Sequence, residues 1–101
     1  MTNPSASPLR LWVDDERPAP DGWIWSKTVA NTIDTLQLGD VQEMSLDYCL
    51  RGGENGMQVL EWLRDHPDRW PPVIHAHSGS YDGRRLLEDL IVEWAPKGGD
   101  A

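Results

Sequence analysis

Four short, β-prone apolar stretches alternate along the chain with stretches whose apolar residues fall at helical spacing, and this alternation limits the fold more than any other feature. Leu9 to Val13 ("LRLWV"), residues 23–26 ("WIWS"), 43–47 ("EMSLD") and 73–78 ("VIHAHS") read as strands. Between the second and third, Thr28 stands as an N-cap ahead of Val29, Ile33 and Leu36, and Gly39 ends that helix. After the glycine-rich "RGGEN", Asn55 caps a second helix, in which Val59, Leu60, Trp62 and Leu63 make a broad apolar face before Pro67. A third helix is expected over 83–94, with Leu86, Leu87, Leu90, Ile91 and Trp94 turned inward. Strands alternating with helices predict a parallel sheet covered on both faces, an α/β three-layer sandwich. The first connection, "DERPAPDG", is too rich in proline for a full helix. With no repeat and no dividing linker, the expected organisation is a flexible lead-in at 1–8, one domain at 9–95 and a flexible tail at 96–101.

Ligands of open parallel sheets bind beyond the carboxyl ends of the strands. Asp14 and Asp15 follow the first strand, Asp47 closes the third, and His77 with Ser78 closes the fourth. Carboxylates that converge repel one another, and burial makes their charged forms costlier. A hard divalent cation relieves both effects, and oxygen ligands suit Mg²⁺ or Mn²⁺. Asp14, Asp15 and Asp47 are therefore the expected metal ligands, with Glu16 directed to solvent. The competing reading makes "DDER" a charged turn in which Arg17 pairs with Glu16 or Asp21. Arg17 can otherwise clamp a phosphate with two donors. His77, whose kind titrates near neutrality, can serve as general acid or base or bind a phosphate oxygen. In "HSGSYDG" the glycines let backbone N–H groups approach an anion at the start of the last helix, although a plain cap explains Ser80 equally well.

Composition narrows the partners. A formal charge of −8 with no Lys/Arg block excludes binding a nucleic-acid polymer by phosphate neutralisation, while a small phosphate held with a cation remains compatible. The lone Cys49 forms no internal disulfide and reads as a small buried hydrophobe; with no leader pattern at the N-terminus and no apolar run of about 20 residues, a cytoplasmic domain away from membranes is expected. Six tryptophans and no phenylalanine supply apolar bulk; Trp12, Trp62 and Trp94 read as core, and Trp23 and Trp25 as core before base-stacking. His75 reads as packing under a helix, with a transition-metal pair to His77 as the alternative. Dinucleotide, phosphate-loop, HExxH and CxxC motifs are absent.

Over about residues 9 to 91 the chain resembles the receiver (response-regulator) family and, through "LWVDDERPAPDGWIW", "SLDYCL" and "VIHAHS", more narrowly the cyclic-phosphate processing receivers. The resemblance implies a truncated receiver-like (flavodoxin-like) fold and a domain acting on cyclic phosphate ligands. It implies that Asp14 and Asp15 are the acidic metal pair, that Asp47 accepts phosphate or binds metal, and that Ser78 contacts a phosphoryl oxygen. Arg17 and His77 match residues typical of the subgroup. Three departures stand out: Tyr48 and Cys49 replace the His and Asp of "LDHDL", no asparagine follows "HS", and no strand bearing the receiver's lysine is expected after the last helix. The last of these speaks against a phospho-accepting switch at Asp47, and leaves a sheet edge for a second copy or a protein partner to cover.

The expected function is thus a metal-assisted phosphoesterase for a small cyclic phosphate, with Asp47 and His77 catalytic, Arg17 and Ser78 holding phosphate, and Mg²⁺ or Mn²⁺ on Asp14, Asp15 and Asp47. The competing expectation is a non-enzymatic module that sequesters a phosphorylated ligand or docks a protein.

Overall fold

The structure, a computed structural model, describes residues 9–96. Along it run β1 (Leu9–Val13), β2 (Ile24–Ser26), α1 (Val29–Gln37), β3 (Val41–Leu46), α2 (Gly56–Asp65), β4 (Val73–Ala76) and α3 (Tyr81–Trp94). The strands form one parallel sheet in the order β2-β1-β3-β4. The crossovers through α1 and α2 move across the sheet in the same direction, and right-handed crossovers of that kind lay their helices on one face. There α2 packs against both α1 and α3.

Strand alternation decides which residues meet those helices. Leu11, Met44 and Ile74 lie side by side across three strands, as do Val13, Leu46 and Ala76. Above them sit Leu36 of α1, Val59, Leu60 and Leu63 of α2, and Leu87 of α3, closing a single core. Each of these leucines, fully withdrawn from water, contributes about 1.5–3 kcal/mol. The helix starts are fixed by their caps. Thr28 Oγ1 accepts the Asn31 N–H at 3.0 Å, the Asn55 N–H donates to Gln58 Oε1 at 2.8 Å, and Ser80 Oγ accepts the Gly83 N–H at 3.1 Å.

The fold is therefore α/β with a short parallel sheet, receiver-like and truncated. Its third layer is thin. Pro18 and Pro20 keep residues 14–23 from forming a helix, so among the described residues the second sheet face carries only that connection and side chains of the strands. Five expectations change with this arrangement. Trp25 is 39% exposed and, like Trp23, stands outside the core. Trp12 alternates with Leu11 and Val13 and so faces away from the core, which Trp62 and Trp94 do join. His75 lies on the same open face, its side chain 54% exposed and its Nε2 at 2.7 Å from Glu43 Oε2, rather than under a helix. Cys49 is exposed instead of buried. Leu86, at the rim of α3, is 37% exposed, while Leu87 takes the inward position.

Element ends shift by one or two residues: β3 begins earlier, and both β3 and β4 stop before their terminal polar residues, of which Asp47 and Ser78 line the cleft described below. The expected lead-in at 1–8 and residues 97–101 of the expected tail lie outside the described residues. Among the described residues no helix is long and apolar enough to cross a membrane.

Candidate metal and phosphate site

The ladder continues one step past the strands. Asp14 N–H donates to the Ser26 carbonyl at 3.0 Å, Asp47 N–H to the Val13 carbonyl at 3.0 Å, and His77 N–H to the Leu46 carbonyl at 2.9 Å. The three residues that follow β1, β3 and β4 are thereby held in register by backbone bonds rather than by loops. They stand at the carboxyl edge of the sheet, beside a cleft of about 310 Å³ whose lining includes Asp14, Asp15, Arg17, Asp47, Cys49 and Ser78.

Asp14 is almost wholly buried, at 1% exposure. Its Oδ1 accepts the N–H groups of Glu16 and Arg17, both at 2.8 Å, and its Oδ2 lies 3.0 Å from His77 Nε2. Burial opposes the charge, yet the Arg17 and Glu16 N–H groups and the His77 imidazole together outweigh it and hold the carboxyl below the ordinary aspartate value. Asp47, 8% exposed, moves the other way. Burial and then the charge of Asp14 raise its pKa, against the opposing pull of His77, the Tyr48 N–H and the Ser78 hydroxyl. Two withdrawn carboxylates thus face one another with their affinities for a proton driven apart.

Arg17 reaches the cleft by its guanidinium, which lies near Gly79; its backbone carbonyl accepts the Trp12 Nε1–H at 2.9 Å. No ion pair to Glu16 or Asp21 forms among the described residues, so the local-pairing alternative has no support in the geometry. Asp15 lines the cleft too, with Arg51 Nε 3.8 Å from its Oδ2. Ser78 stands between Asp47 and the turn into α3, where its Oγ accepts the Ser80 N–H at 3.1 Å, while Ser80 is the helix cap. Tyr48 packs its ring against the backbone of Gly83, leaving no space there for a Cβ.

His77 comes to the site by a different route. Its ring stacks on Trp12, centroids 4.0 Å apart and planes 10° from parallel, and its Nδ1 lies 2.7 Å from Ser45 Oγ. Both ring nitrogens are therefore engaged. Ser45 is not among the residues expected from the sequence, and Trp12 is expected there as core; the signal that both carry is the period-two alternation that sets them on the face of the sheet opposite the leucines.

Ligand atoms of Asp14, Asp47 and His77 all fall within 4.8 Å of one another. The two buried carboxylates so placed fit a divalent cation, since a cation would offset the burial and the Asp14 charge that raise the pKa of Asp47, while His77, with both nitrogens engaged, stands behind Asp14. Asp15, the third expected ligand, shares the cleft but falls outside that close group.

No curated protein and no solved structure matches the chain. The model of one protein family does match, over residues 9–93, which is nearly all of the described fold. By that match, and by the strand-end acids just described, the chain belongs to the cyclic-phosphate processing receiver domain family.

Proposed function

We propose that the cleft binds a small cyclic phosphate together with a divalent cation and opens the phosphate ring by hydrolysis. The observation that carries this reading is the pairing of two buried carboxylates, Asp14 and Asp47, with a guanidinium, Arg17, that has no acidic partner among the described residues. Asp14 and Asp47, with Asp15 beside them, would hold Mg²⁺ or Mn²⁺, which when bound polarises the phosphoryl group. Arg17 donates to two phosphate oxygens and neutralises them. Ser78 donates its hydroxyl to another.

Hydrolysis forms one P–O bond from water and breaks one ring P–O bond, so one proton must leave the water and one must reach the departing alkoxide. A carboxylate oxygen of Asp47 not engaged with the cation would take the first and return it as the second. His77, with both nitrogens engaged, acts through Asp14. The exposed thiol of Cys49 and the absence of disulfides fit the reducing cytoplasm.

A second reading has its own support. Tyr48 turns to Gly83 and Cys49 brings a thiol rather than a carboxylate, so the positions after Asp47 add no acid or base to the cleft. That favours a module that binds the phosphate without opening it. Turnover of 2′,3′- and 3′,5′-cyclic nucleotides, cyclic dinucleotides and an ADP-ribose cyclic phosphate with Mg²⁺ or Mn²⁺ separates the two. Cation-dependent ring opening lost in Asp47→Asn supports the hydrolase; binding without turnover by the wild type supports the module.

A further inference from the structure

We propose that Ser45 is a positioning residue for the acidic cleft: through His77 it holds the Asp14 carboxylate in the orientation that a divalent cation meets. The inference rests on the cation reading above and adds to it a residue from the opposite face of the sheet. Ser45 lies in β3, two residues before Asp47, and is buried although its side chain faces away from the core. Its Oγ is 2.7 Å from His77 Nδ1, and His77 Nε2 is 3.0 Å from Asp14 Oδ2. An ionised carboxylate can only accept, so Nε2 carries a proton and donates it to Asp14. At Nδ1 the Ser45 Oγ then serves either state of the ring, donating to the lone pair of the neutral form or accepting the N–H of the charged one.

The rest of the assembly removes the remaining freedom. Trp12 covers one face of the imidazole at 4.0 Å, and is itself fixed by its Nε1–H on the Arg17 carbonyl and by the edge of Trp23, with centroids 6.0 Å apart. Asp14 Oδ1 is tied to two backbone N–H groups. Without the Ser45 hydroxyl a half-turn of the ring leaves no nitrogen worse satisfied at Nδ1, and Oδ2 of Asp14 loses its one side-chain anchor. Carboxylates that ligate metals depend on such outer hydrogen bonds, and losing one typically weakens the metal by about 10–100-fold.

The test uses the full chain at one fixed pH. Mn²⁺ affinity is measured by calorimetry, and the His77 ring nitrogens and the amides of Glu16 and Arg17 are followed by NMR, in wild type, Ser45→Ala and Ser45→Thr. Ser45→Ala is expected to weaken Mn²⁺ about 10-fold or more, to move the Nδ1 resonance and to shift both amides. Ser45→Thr, which keeps the hydroxyl, is expected to restore all three. Wild-type Mn²⁺ affinity in Ser45→Ala overturns the proposal, as does failure of Ser45→Thr to rescue while remaining folded. Should the wild type bind no Mn²⁺, the cation reading falls by itself, and the amides then decide on Ser45: displaced in Ser45→Ala they uphold its hold on Asp14, unmoved they overturn it.

Discussion

Asp14 and Asp47 stand one step past paired residues of β1 and β3, joined by the bond from the Asp47 N–H to the Val13 carbonyl at 3.0 Å. Sheet register, not loop conformation, therefore forces two buried carboxylates together. A like charge fixed so rigidly is a strain on the fold unless something positive joins it.

Asp47→Asn should accordingly stabilise the protein when no divalent cation is present. The gain is expected to be on the order of 1 kcal/mol, or roughly 4–8 °C in melting temperature for a chain of this size. Thermal unfolding in a chelator measures it, and a lower melting point than wild type would show that the two charges are already compensated.

The two acids should act on stability with opposite pH dependence. The Asp14 carboxyl has a folded pKa below its unfolded value near 3.8, so its contribution is full above that value and is lost as pH falls through the lowered folded pKa. Asp47 has a folded pKa above its unfolded value near 3.8, so what it contributes is present below that value and is lost as pH rises through the raised one. The advantage of Asp47→Asn should thus shrink below about pH 4, whereas Asp14→Ala should be destabilising at neutral pH by about 1–3 kcal/mol, because the Glu16 and Arg17 N–H groups lose their acceptor. Urea unfolding across pH gives both curves.

Two glycines hold helices against the site and should differ in how they can be rescued. A Cβ on Gly56 would overlap the Asp47 carbonyl oxygen, which is backbone and cannot move aside. A Cβ on Gly83 would come within 2.7 Å of the Tyr48 ring. Each Ala substitution should destabilise by about 1–3 kcal/mol. Tyr48→Ala, which removes the ring but keeps a Cβ at 2.9 Å, should relieve part of the cost of Gly83→Ala in a double-mutant cycle and leave the effect of Gly56→Ala unchanged.

Arg17 should separate binding from folding. Its structural bonds are made by backbone atoms, to Asp14 Oδ1 and from Trp12 Nε1, so truncating the side chain should change stability by less than about 0.5 kcal/mol. Affinity for a cyclic phosphate should fall about 10-fold or more, the worth of one charge-assisted hydrogen bond. Calorimetry and thermal unfolding of Arg17→Ala read the two quantities side by side.

Much of this was legible in the residues. Period-two alternation and the caps at Thr28, Asn55 and Ser80 mark the elements, and the rule that ligands gather at carboxyl strand ends collects Asp14, Asp47 and Ser78 into one cleft. The open second face was not legible, because a run such as "LRLWV" looks alike whether one side or both is covered. That is why Trp12 read as core, and why His75 read as buried when its side chain instead pairs with Glu43 at the surface. Ser45 was invisible for a related reason: its partner His77 lies 32 residues away, and only the pairing of β3 with β4 brings them together.

The most direct test of the cation centre is a calorimetric titration of Mg²⁺ and Mn²⁺ into wild type and Asp47→Asn, each previously treated with chelator. The expected result is one bound ion for the wild type and a loss of at least about 10-fold in affinity for the variant, even though the variant is the more stable protein before the ion is added. Equal affinity in the two, or no heat of binding in either, would contradict the assignment of Asp14 and Asp47 as a cation centre.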